Sequence, residues 1–142
     1  MDDAWVGAMP TRNKLLRLTA LCQGGYFLLT GVWPLVHIRS FEAVTGPKVD
    51  RWLVKTVGVL VAVVGAMLLC STRREDLRRL ARDVPEIPLV AVGTGAALAA
   101  VDTIYVAKGR IAPVYLLDTL AEAILIAGWV IGLTGRDTED TP

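Results

Sequence analysis

The chain has 142 residues, 54% of them hydrophobic, with 15 Lys+Arg against 14 Asp+Glu and a formal net charge of +1. Its mean hydropathy is +0.51. One ordinary domain fits this length. The near-neutral balance excludes a nucleic-acid binder running on net basicity, two cysteines exclude a disulfide scaffold, and the apolar content excludes intrinsic disorder. Almost all the charges fall in short blocks separated by long apolar runs. That pattern predicts an all-α polytopic membrane protein, a four-transmembrane-helix bundle forming a single membrane domain over 1–142.

The first apolar segment, Leu18 to Val36, carries no charge over 19 residues and predicts a helix over about 15–37. It is too long for a signal-peptide core, and no small-residue cleavage pattern follows it. The second, Thr56 to Thr72, is charge-free over 17 residues. It extends back to about 52 if the Lys55 stem snorkels. The third, over about 87–107, contains only Asp102, and the fourth, over about 111–134, contains Asp118 and Glu122. A span needs about 20 residues to cross about 30 Å of hydrocarbon, so all four qualify. Glycines and alanines recur in each, and Gly58 and Gly65 share a helix face, which permits close helix packing.

Four spans put both termini on one side. That side holds nine cations: Arg12, Lys14, Arg17, Arg136 and five arginines between positions 73 and 82. The other holds six, Arg39, Lys48, Arg51, Lys55, Lys108 and Arg110. The positive-inside rule then expects short cytoplasmic tails and a bacterial-type cytoplasmic (inner) membrane, with the Arg73–Arg82 stretch lying at the headgroups as a helix end. Cys22 and Cys70 fall near the same reducing side without a CxxC pattern, so they are expected to pack rather than to form a disulfide.

The polar residues of the outer half are the candidates for chemistry. Tyr26, Thr30, Trp33 and His37 recur at helical spacing in the first span, Asp102 and Tyr105 in the third, and Tyr115, Asp118 and Glu122 in the fourth. Counted from Ile111, Glu122 would lie about 16 Å deep. An acid at a helix centre disfavours insertion by roughly 2.5–3.5 kcal/mol, so these groups are expected to face inward, pair, or carry protons. Two carboxylates one turn apart repel when both are ionised and would titrate as a unit, which makes Asp118 and Glu122 general acid/base candidates with His37 as a shuttle. Asp102, Tyr105, Tyr115 and Trp33 would line the ligand. A buried polar network that merely fixes helix order, with Asp102 on Arg110 or a tyrosine hydroxyl, is the plain alternative.

Between the first two spans, Thr45-Gly46-Pro47-Lys48 is a turn, Asp50 is placed to cap the next helix, and Phe41 and Trp52 can anchor at the interface. Glu42, Lys48 and Arg51 could close this loop as a lid over the pocket mouth. The set His37, Glu42, Asp102, Asp118 and Glu122 offers one histidine and neither His-x-x-x-His nor Glu-x-x-His, so no metal is assigned. Without phosphate loops, Walker sequences or a nucleophile elbow, no cofactor is expected.

A compact four-helix bundle with His37, Asp102, Asp118 and Glu122 in one half resembles the EXPERA group, which includes sterol isomerases and the sigma-2 receptor. It is similar also to the bacterial DoxX-like proteins. The resemblance covers the architecture over roughly 15–134 and implies a pocket for a lipophilic molecule, neutral or cationic; the stretch Ser40 to Lys48 departs from it. The expectation is a membrane protein with an outer-side polar pocket for a small lipophilic ligand, with acid/base isomerisation as the chemistry if there is turnover. The alternatives are a proton-coupled transporter subunit and a non-catalytic accessory or assembly protein. Expected partners are membrane lipids and that ligand, with no nucleic acid; small-residue faces also permit a homo-oligomer.

Overall fold

The computed structural model describes residues 11–135. Its helices are α1 (Thr11–Val36), α2 (Ile38–Thr45), α3 (Arg51–Ser71), α4 (Leu77–Asp83), α5 (Glu86–Ala107) and α6 (Tyr115–Thr134), with no strand among the described residues. The four long helices have 26, 21, 22 and 20 residues. At 1.5 Å per residue even the shortest covers about 30 Å. All four are long and apolar enough to cross a membrane. Their outward residues are apolar as well: Leu29, Leu60 and Leu117 are 75%, 62% and 67% exposed. A bundle that is greasy outside and polar at points inside is solvated by lipid, because helices alone satisfy their backbone there. The chain is an integral membrane protein built as a helical bundle.

α1 is the central element, packing on α3, α6 and α4. Against α3 the contact is backbone on backbone. A Cβ added at Gly31 would lie 2.5 Å from the Gly58 carbonyl oxygen, and one added at Gly65 would lie 2.7 Å from that of Gly24. Each helix carries its two glycines seven residues apart, so two turns of antiparallel helix meet in one register. Pro34 fills the end of this seam, and a Cβ at Gly58 would come within 3.2 Å of its Cγ. Against α6, glycines receive side chains instead: Gly128 faces Thr19 and Gly132 faces Leu16. Leu16, Phe27, Leu68 and Trp129 form the apolar core.

α5 packs mainly on α6. The turn between them passes through Gly109 at φ 63°, a left-handed position that glycine adopts without strain. α6 begins at Tyr115 rather than near 111. Pro113 cannot donate to a helix, it restrains Ala112, and the Tyr115 N–H bonds only three residues back, to Ala112 O at 3.2 Å. Glu122 therefore lies seven residues into α6, about 10 Å along it rather than about 16 Å. At the turn before α3, Gly46 takes φ 85° as the sequence anticipates. Asp50 occupies the N-cap position of α3, but its side chain makes no cap bond.

At the end that carries the chain termini, the arginine-rich stretch folds into α4. Its N-cap is Asp76, whose Oδ1 accepts the Arg79 N–H at 2.9 Å, and α1 adds a remote cap: Asn13 Oδ1 accepts the Leu77 N–H at 3.0 Å, and Asn13 Nδ2 donates to the Glu75 carbonyl at 3.1 Å. Arg78 Nη2 reaches the Gly135 carbonyl at 2.8 Å and Arg12 Nη1 that of Ile131 at 3.1 Å, so basic side chains close the last carbonyls of α6.

Candidate functional site

The acids meet in the half of the bundle that carries α2. The Tyr26 hydroxyl on α1 donates to Asp118 Oδ1 on α6. Asp102 on α5 stands next to Asp118, carboxyl beside carboxyl. Asp102 is 7% exposed. Three helices thus converge on one carboxyl pair, each side chain placed by local spacing that the tertiary register brings together.

Glu122 sits one turn further along α6. It is fully buried, and neither carboxylate oxygen has a hydrogen-bond partner. Its Oε2 lies against Gly95 of α5, in the space that a Cβ at that position would need. Below it, the fully buried Gln23 ties three helices together: its Nε2 donates to the Ala91 carbonyl at 2.9 Å, and its Oε1 accepts from Trp129 Nε1 at 2.7 Å. Gln23 and Trp129 escaped sequence reasoning, and Gly95 was legible only as one of the small residues that permit close packing. A neutral glutamine leaves a run charge-free, so the only available signal was a lone amide in the middle of an apolar span.

The α2 segment roofs this half. Arg51 grips Glu42 with two 2.8 Å bonds, and the Lys48 N–H donates to Glu42 Oε1 at 3.3 Å. The Arg51 guanidinium, helped by that backbone N–H, holds the Glu42 carboxyl below the usual carboxylate range. The latch holds the Lys48 side chain over the site: Nζ donates to Thr45 O at 2.9 Å and lies 4.9 Å from the Tyr115 ring centroid. It is near enough for its charge to act on Asp102. Trp33 is fixed by Ser40, with Nε1 donating to Oγ at 2.7 Å, and by Phe41, whose ring meets it edge-on at 5.6 Å.

Of the residues singled out in the sequence, Asp102, Asp118, Glu122 and Tyr115 gather here, with Glu42, Arg51 and Trp33 in the roof. His37 does not join them. It is exposed, and its Nδ1 accepts the Ser40 N–H at 3.1 Å as the N-cap of α2. The chain turns at that residue, so the stripe from Tyr26 through Trp33 ends before it. Tyr105 also faces away, 45% exposed, with Lys108 Nζ over its ring at 5.6 Å. Asp102 takes Asp118 as its partner rather than Arg110, which is exposed beyond the helix end. Cys22 and Cys70 are both free, as expected, but both are exposed rather than packed in the bundle. Among the described residues no three His, Cys, Asp or Glu side chains are grouped to hold a metal ion.

Tyr26 has a second face. It is one of six α1 residues, with Leu29, Thr30, Val32, Trp33 and Val36, that line an apolar groove of about 530 Å³ on the outer surface of the bundle. The Thr30 hydroxyl is turned onto its own helix, bonding the Tyr26 carbonyl at 2.7 Å, so it adds little polarity there. A charged cavity of about 390 Å³ lies at the opposite end, between Asn13 and α4, lined by arginines and aspartates together. No protein-family model, curated protein or solved structure matches the chain.

Proposed function

We propose that this membrane protein binds a small lipophilic molecule whose apolar body lies in the α1 groove and whose polar end meets the Tyr26–Asp118–Asp102 cluster. One observation carries the reading: the groove is lined by a tyrosine whose hydroxyl is bonded to one of two carboxyls that stand side by side on two helices. A groove of several hundred Å³, mostly apolar with a few convergent polar groups at one end, is the general form of a ligand site. Hydrocarbon reaches it without leaving the bilayer, while the carboxyls wait inside. If the ligand turns over, the adjoining carboxyls of Asp102 and Asp118 suit acid/base isomerisation, and no activated nucleophile adjoins the groove. The cation count argues for cytoplasmic termini, with the α2 roof on the outer side.

Native mass spectrometry with organic extraction of the gently purified protein tests this. The comparison is wild type beside Tyr26→Phe, which removes the hydroxyl, and Leu29→Trp, which fills the groove without touching an acid. A small molecule retained by wild type and lost from both variants is expected. Empty wild-type protein, or equal retention by all three, would overturn the reading. Transport driven by a pH gradient in vesicles would instead favour the proton-coupled transporter.

A further inference from the structure

The ligand reading leaves Glu122 without a task. Its carboxyl is sealed from solvent with no donor on either oxygen. An ionised carboxylate in such a place carries an uncompensated charge, whereas the neutral acid does not. The groups that face it differ sharply by direction. Towards the roof stand Asp118 on its own helix, Asp102 on α5, Tyr26 on α1 and, beyond them, Lys48 above Tyr115. Towards the chain termini the next polar group is Gln23, whose amide donates to Ala91 and accepts from Trp129 and which cannot ionise.

We infer that Glu122 is a proton-binding site loaded from the α2 side only. The Asp102–Asp118 pair passes a proton inward by one helical turn: when the Glu122 side chain rotates into hydrogen-bond reach of Asp118, the O–H bond on Asp118 breaks as that on Glu122 forms, and the pair recovers its proton from water at the roof. Gln23, clamped between α5 and Trp129, stops the proton from going further. Gly95 makes the seat, because any larger residue would occupy the space that the carboxyl fills. The site stands whether or not the groove holds a ligand.

Infrared spectroscopy of the full chain in lipid nanodiscs tests it, following the protonated-carboxyl stretch at neutral pH. Wild type shows absorption from which Glu122→Gln removes one component, while the amide keeps the shape of the neutral acid and the Asp102–Asp118 pair keeps its own. After transfer to heavy water that component shifts, and in Asp118→Asn the shift is slowed about 100-fold, the effect of deleting a positioned proton-transfer group. Absorption undiminished in Glu122→Gln overturns the site, and wild-type kinetics in Asp118→Asn overturn the route. If Glu122→Gln does not fold, wild type alone decides: absence of any protonated-carboxyl band at neutral pH overturns the proposal.

Discussion

The two sides of α1 solve opposite problems. Towards α3 the helix offers Gly24, Gly31 and Pro34, and the backbones come as close as glycine allows. Towards α6 and α5 it offers Thr19, Gln23 and Tyr26, and the interface holds amide, phenol and carboxyl groups. In lipid no hydrophobic effect drives helices together, so close van der Waals contact and internal hydrogen bonds do that work. Here they act on separate faces of one helix. The glycine face fixes the register, and that register leaves the other face free to hold groups that lipid would reject.

The largest expected effect comes from breaking the first face. Gly31→Val puts side-chain atoms where the Gly58 carbonyl and the Ala62 backbone already lie. Overpacking of this kind destabilises by about 1–3 kcal/mol or more, because backbone cannot step aside as a side chain can. Thermal unfolding in detergent reads it, and the same substitution at the open Gly93 is the control, since nothing stands within 4 Å of a Cβ there. Equal losses at both positions would remove the distinction between the faces.

A smaller effect is expected at the terminal end of the same helix. Asn13→Ala removes the remote cap of α4 and strands the Leu77 N–H, costing about 1 kcal/mol. Hydrogen exchange should quicken over 76–83 while the spans stay protected. The smallest effect lies in the roof. Glu42 is held below its ordinary range, so its bond to Arg51 is complete at neutral pH and fails as pH falls through that lowered value. Glu42→Gln should therefore raise exchange over 42–51 at neutral pH, and acid should do the same to wild type but add nothing to the variant. An unchanged loop in Glu42→Gln would show that the turn at Gly46 holds the roof without the latch.

The spans, the shared face of Asp118 and Glu122, and the loop carrying Glu42, Lys48 and Arg51 were legible because each depends on spacing within a few turns of chain. His37 misled for the same reason. Helical spacing continued through it, but Pro34 and the break after Val36 ended α1 there, and the ring became a cap. Gln23 was invisible to a count of charges, although it joins α1 to α5 and α6.

The sequence by itself determined how many helices cross the membrane and which residues share a face on each, since hydropathy and a 3.6-residue period are local properties. Only the tertiary structure decided that Asp102 meets Asp118 and not Arg110, that Tyr26 joins them, and that Glu122 is left alone against Gly95. Those meetings depend on the sliding and rotation of one helix against another. That register is set where Gly24 and Gly31 meet Gly65 and Gly58, 41 and 27 residues away along the chain, and no local period records it.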